Sequence, residues 1–156
     1  MEIRTKSLKE YSSLRVGGEG RCVEVTSTAE LVEAMMHAKA FSLRVHIIGE
    51  GTNTFFGDTL SDILFVKMNI KGISLQEEGS SVLLTAFAGE NWDDLVKLAV
   101  GKKLWGIENL SYIPGTVGAA PIQNIGAYGS ELKDVFVSLS ALDRETLNIV
   151  EMTGEA

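Results

Sequence analysis

An α+β chain arranged as two lobes is what these 156 residues call for, on three grounds. A strand–helix–strand pattern fills residues 22–48. A second group of strand and helix begins near Val82. Between that group and a final pair of strands lies an uncharged segment, Asn109 to Ser130, of twenty-two residues. Lobe one is expected at about residues 1–70 and lobe two at about 71–156.

The elements follow in order. Cys22-Val23-Glu24-Val25-Thr26 alternates and reads as a strand. Ser27-Thr28-Ala29-Glu30 has the form of a capping box, so a helix should run from Thr28 to about Ala40, turning Leu31, Ala34, Met35 and Ala38 inward. Arg44 to Ile48 is a second strand, and it ends in Gly49-Glu50-Gly51-Thr52-Asn53. A glycine loop at the carboxyl end of a strand in a βαβ unit is where open α/β sheets tend to bind ligands. Ile63 to Lys67 is a further strand, and Val82 to Ala88 opens the second lobe. Asn91 can cap a helix with Asp94 in its first turn, carrying Leu95, Leu98 and Ala99 on one face. Val135 to Leu142 and Leu147 to Met152 read as paired strands joined around Asp143-Arg144-Glu145-Thr146.

Composition limits the function classes. A net charge of −7 leaves no basic stripe for neutralising nucleic-acid phosphates. The amino terminus lacks the apolar stretch of a signal peptide, and a single cysteine fits a reducing cytoplasm. The two histidines, His37 and His46, have no metal-ligand spacing with Cys22, so no metal site is expected.

The uncharged segment contains both prolines of the chain and is too rich in Gly and Pro for a regular helix or a central strand. Its prolines, amides and hydroxyls also argue against a membrane span. Gly115, Gly118, Gly126 and Gly129 allow positive φ and close approach of backbone N–H groups to a ligand. Long irregular loops in compact domains are functional or disordered, and disorder favours charge, which is missing here. An anion or a flat cofactor is therefore the expected occupant, with Ser111, Thr116, Gln123, Asn124 and Tyr128 offering hydrogen-bonding groups.

Other residues have plainer readings. Gly49 to Asn53 lacks both the Gly-Lys-Ser/Thr ending of a P-loop and the spacing of a dinucleotide fingerprint. Gly17-Gly18-Glu19-Gly20 reads as a flexible turn. Cys22 is read as a small buried hydrophobe, His46 as structural and His37 as a rim residue. Asp93-Asp94 suits a helix dipole, Lys97, Lys102 and Lys103 form a solvated face, and Trp92 and Trp105 are expected to pack the second lobe. No nucleophile–base pair or acid–base dyad emerges.

Three blocks stand in order: Ser12-Ser13-Leu14-Arg15-Val16-Gly17-Gly18, Ile48 to Phe56, and Glu108 to Gly129. Together they resemble the amino-terminal half of the UDP-N-acetylenolpyruvoylglucosamine reductase (UDP-N-acetylmuramate dehydrogenase) family, and Pro121-Ile122-Gln123-Asn124-Ile125-Gly126 is similar to its first type. The resemblance implies a two-lobed FAD-binding domain of the vanillyl-alcohol-oxidase-like (PCMH-type) class. It places Gly49, Glu50, Gly51, Thr52 and Asn53, and Pro114, Gly115, Thr116, Gly118, Ala119, Asn124, Gly126, Ala127, Tyr128 and Gly129, at the cofactor.

The family moves hydride from NADPH to FAD and then to the enolpyruvyl ether of a UDP-sugar, for peptidoglycan synthesis and so for cell shape and division. Its Tyr-Arg motif, proton-donating serine and glutamate have no counterparts here, so catalytic residues and the carboxyl-terminal substrate domain are expected beyond Ala156. Neither loop holds a histidine or cysteine for tethering flavin, so FAD is expected to be non-covalent. The alternative is a stand-alone, non-catalytic flavin- or nucleotide-binding module.

Overall fold

The computed structural model describes residues 1–154; Glu155 and Ala156, expected at the end of lobe two, lie outside the described residues. A four-stranded sheet in the order β1-β2-β4-β3 organises the amino-terminal part, with β1 at Arg4–Ser7, β2 at Glu19–Val25, β3 at Arg44–Ile48 and β4 at Thr59–Met68. β2 and β3 both run parallel to β4, which lies between them, and β1 pairs antiparallel with β2. The expected βαβ unit is thus present, but its two strands are not neighbours. β4 is also twice as long as its apolar heart, Ile63 to Lys67, suggested.

Strand alternation explains how this sheet is buried on both faces. Val23, Val25, Leu64 and Val66 point to one side and pack with Ala34 and Ala38 of α1, Thr28–Ala40. Cys22, Ile48 and Phe65 point to the other, where they meet Leu8 and Phe56. The Phe56 and Phe65 rings meet edge-on at 5.4 Å, with His46 edge-on to Phe65 at 5.7 Å. Burial pushes the Cys22 thiol up to about 11, which leaves it an inert part of this cluster.

α1 starts as anticipated, with Ser27 Oγ accepting from Glu30 N at 3.2 Å. The Glu30 carboxylate reaches one residue further back than a standard capping box, to Thr26 N at 2.7 Å and Thr26 Oγ1 at 2.8 Å. The helix stops where Ser42 turns to positive φ and Leu43 N bonds Ala38 O.

The rest of the chain forms β5 (Ile73–Glu78), β6 (Ser81–Ala86), α2 (Trp92–Gly101), β7 (Gly126–Ala127), β8 (Ser130–Glu131), β9 (Ser138–Leu142) and β10 (Ile149–Thr153). They pair as three two-stranded antiparallel sheets. The third core joins α2 to the uncharged segment through Trp92, Leu95, Val96, Leu110, Ala120 and Ile125. The turn between β9 and β10 is built by Asp143, whose Oδ1 accepts from Glu145 N, Thr146 N and Thr146 Oγ1.

Gly17-Gly18 is not a flexible turn. Leu8 N bonds Gly18 O and Gly18 N bonds Gly57 O, and a Cβ on Gly18 would collide with the Asp58 carbonyl. Trp105 does not pack the second lobe either: it is 86% exposed, while Trp92 alone fills that core.

Candidate functional site

The first loop, Gly49 to Asn53, leaves the end of β3 beside the buried Ile48. Its carbonyls are drawn to the rear. Lys67 Nζ donates to Gly49 O, Ser13 N to Gly51 O at 3.2 Å, Ser13 Oγ to Thr52 O at 3.2 Å, and Ser12 Oγ to Thr54 O at 2.8 Å. In a trans peptide the C=O and the next N–H point in opposite directions. Each carbonyl fixed behind therefore turns the following amide forward, at Glu50, Thr52, Asn53 and Phe55. Among the described residues, the N–H groups of residues 50–53 donate to no backbone acceptor. Such a set of forward amides has the geometry that suits an anion. Gly51 is required for it: its φ is +65°, and a Cβ there would overlap the Tyr11 carbonyl oxygen.

Lys67, half-buried beneath the loop, has its ammonium pKa lowered by that burial, with Glu50 and Glu24 acting in the opposite sense.

The second loop is largely bonded to its own lobe. Three short 3-10 turns, Glu108–Leu110, Val117–Ala119 and Pro121–Gln123, break up what looked irregular. Trp92 Nε1 donates to Leu110 O at 2.8 Å. Asp93 accepts from Tyr112 N at 2.7 Å and from Ser111 Oγ at 3.3 Å, and pairs with Lys97 at 2.8 Å. The Lys97 hydrogen bond, then the Tyr112 amide, hold the Asp93 carboxyl below its usual range. Asp93 thus does more than suit a helix dipole, because it anchors the loop.

Asn91 bridges Thr116, flanked by Trp92 N to Gly115 O at 3.0 Å and Val117 N to Glu90 O at 2.9 Å. Gly118 N donates to Ala88 O, Ala119 N to Thr116 O and Asn124 N to Pro121 O. The Asn124 side chain is also committed, donating to Glu131 Oε2 and accepting from Lys133 N, each at 3.0 Å. By contrast, the N–H groups of Gly115, Thr116, Tyr128 and Gly129 have no backbone acceptor among the described residues.

The two loops meet at specific points. A Cβ on Gly49 would lie 2.7 Å from Thr116 Oγ1 and 3.7 Å from the Ala119 methyl, and one on Gly115 would lie 3.7 Å from Thr52 Oγ1. Pro114 enters this junction directly before Gly115. Gly126 and Ala127 pair with Glu131 and Ser130 in the β7–β8 hairpin instead, with Tyr128 and Gly129 as its turn. Gly115 and Gly129 take positive φ as anticipated. Gly118 and Gly126 do not; they are glycines because Ala88 crowds the first and Glu131 with Ser130 O the second. Tyr112 and Tyr128, both at positive φ, are 87% and 92% exposed.

Sequence reasoning missed the Ser12–Ser13 pair, Lys67 and Glu90 as supports. The serine pair was legible only as part of a family block and the strand lysine carried no motif; the fold brings both behind the loop. Among the described residues no helix is long and apolar enough to cross a membrane.

Residues 21–152 match the family described as FAD binding domain. The chain is 44% identical over 131 residues to the UDP-N-acetylenolpyruvoylglucosamine reductase of Cupriavidus pinatubonensis, covering 84% of this chain and 39% of that protein. It is 41% identical over 152 residues to the enzyme of the same name from Pseudomonas aeruginosa, covering 96% and 44%. The chain therefore spans less than half the length of these curated relatives.

The crystal structure of UDP-N-acetylenolpyruvylglucosamine reductase from Thermus caldophilus matches with a TM-score of 0.77 at 23% identity, covering 99% of this chain and 53% of that one. Cholesterol oxidase from B. sterolicum matches with a TM-score of 0.71 at 15% identity, covering 97% and 32%. These likenesses establish the expected PCMH-type α+β fold. With most of its length inside the matched span, the chain belongs to the FAD binding domain family.

Proposed function

We propose that this chain is the FAD-binding portion of an NADPH-dependent flavoenzyme that reduces UDP-N-acetylglucosamine enolpyruvate to UDP-N-acetylmuramate in peptidoglycan synthesis. The observation that carries the reading is the set of forward amides at residues 50, 52 and 53, in a loop whose Gly49 and Thr52 meet Thr116 and Gly115 of the second loop. The curated relatives at 41–44% identity bear the reductase name and support the reaction class.

The residues fit the group. Glu50, Gly51, Thr52 and Asn53 present amide donors to a pyrophosphate without spending a lysine on it, and Gly115, Thr116, Tyr128 and Gly129 offer further donors from the second loop. Gly49, Ala119 and Ala127 keep side-chain bulk low along both walls, while Gly118 and Gly126 let the second loop pack against Ala88 and Glu131. Ala119, Asn124 and Pro114 shape the second loop rather than donate to the ligand. FAD, held non-covalently, supplies the capacity to accept and release hydride. The chain's own part is to bind it, orient it and keep the two loops in register.

We place the lobes at about 1–70 and 71–156 and the groups that act on substrate in the length that the relatives have beyond this match. NADPH and the UDP-sugar enolpyruvyl ether are thus partners of a longer enzyme, acting in the cytoplasm on the way to cell shape and division. The net charge of −7 speaks against nucleic acid as a partner.

Purified chain mixed with FAD and desalted tests the reading. Retained flavin near one per chain, released intact on denaturation, is the expected result, with no substrate-dependent oxidation of NADPH. Folded but colourless protein would refute the binding assignment, and turnover would refute the division of labour.

A further inference from the structure

One residue touches both loops in a way neither the cap reading nor the family match assigns. Asn91 Oδ1 accepts from Asp94 N at 3.0 Å, capping α2. Its other end, Nδ2, donates to Glu50 Oε1 at 2.8 Å across 41 residues of sequence. Its backbone meanwhile bridges Thr116 of the second loop. Because the oxygen is occupied by the helix amide, the nitrogen must face Glu50, and a carboxylate is the acceptor that an amide nitrogen requires.

Glu50 needs such a partner. It sits among forward-turned amides, where a carboxylate would repel an anionic ligand. The bond to Asn91 turns it toward the other lobe.

We propose that Asn91 and Glu50 form a clasp between the lobes that sets the spacing and facing of the two loops. The inference rests on the FAD reading above. Asn91 is a positioning residue: it contacts the loops, and the loops contact the cofactor. Glu50 then contributes its backbone amide to the ligand and its side chain to the clasp.

The clasp predicts an exchange experiment on the full chain, read by quenching of FAD fluorescence. Asn91→Asp keeps the helix cap, since both residues cap equally well, but sets two carboxylates against each other. It should weaken FAD binding about tenfold, the size expected when one charge-assisted hydrogen bond is lost. Adding Glu50→Gln to that variant lets the glutamine amide donate to the new carboxylate, and should return affinity to within about threefold of wild type.

Thermal melting of the ligand-free chains should show the same rescue. Wild-type affinity in Asn91→Asp alone would overturn the clasp. So would a loss that Glu50→Gln fails to repair. Wild-type chain that retains no FAD would instead sink the proposed function, and the clasp's role in binding with it.

Discussion

The two loops look alike in composition and behave differently in the structure. The first is five residues long, and its carbonyls are fixed from behind by Ser12, Ser13 and Lys67, so its amides are left facing outward. The second is four times longer, yet most of its polar groups are consumed by its own lobe, through Trp92, Asp93, Ala88 and Glu131. Richness in glycine and small side chains therefore has two meanings here. In the first loop it leaves amides available to a ligand. In the second it marks chain that must lie against a core, with donors left over only near Gly115, Thr116, Tyr128 and Gly129. Length and polarity alone do not separate binding wall from scaffold; the destination of each backbone hydrogen bond does.

Substitutions can probe that contrast. Gly51→Ala should have the largest effect, because it combines a φ of +65° with overlap on the Tyr11 carbonyl. A loss of about 3 kcal/mol or more in denaturant unfolding, together with lost flavin retention, is expected. Gly118→Ala forces a methyl to within 2.6 Å of the Ala88 Cβ, with no positive φ involved. It should cost about 2 kcal/mol, with FAD affinity changed little under conditions where the variant stays folded. Strong loss of affinity in a fully folded Gly118→Ala chain would move that residue from scaffold to binding wall.

Trp92→Phe leaves the buried Leu110 carbonyl without its donor and should cost about 1–2 kcal/mol in thermal melts. Gly129→Ala meets nothing within 4 Å, so only its φ of +85° opposes it, and about 1 kcal/mol is expected. The smallest effect concerns acid. Asp93 has a folded pKa below its ordinary value of 3.8, so its contribution is complete above that value and is lost as pH falls through the depressed one. Asp93→Asn should therefore flatten the acid limb of the stability profile below about pH 4 and leave its shape at neutral pH unchanged.

Much of this was legible beforehand. The helix over Thr28–Ala40 and the strand over Arg44–Ile48 match residue for residue, because a cap, a periodic apolar face and a β-branched run all agree there. The cap at Asn91 was equally clear. β1 and β5 were missed: Arg4–Ser7 is polar, and in β5 the alternation of Ile73 and Leu75 stops at Gln76-Glu77-Glu78, too short to stand out. β9 and β10 start three and two residues later than expected, because Val135 and Leu147 belong to the turns that precede them.

At the site, the glycine loops could be found from residue type. What could not be found was direction. Whether a loop amide faces a ligand or its own core depends on partners far along the chain, such as Ser12 for Thr54 and Ala88 for Gly118.

The proposed grip of the first loop on a pyrophosphate is tested most directly by titrating the wild-type chain with FAD and with riboflavin, which shares the ring system but carries no phosphate. Forward amides at residues 50, 52 and 53 predict that FAD binds at least about 100-fold more tightly. Equal affinity for the two would contradict the assignment of these amides to a pyrophosphate.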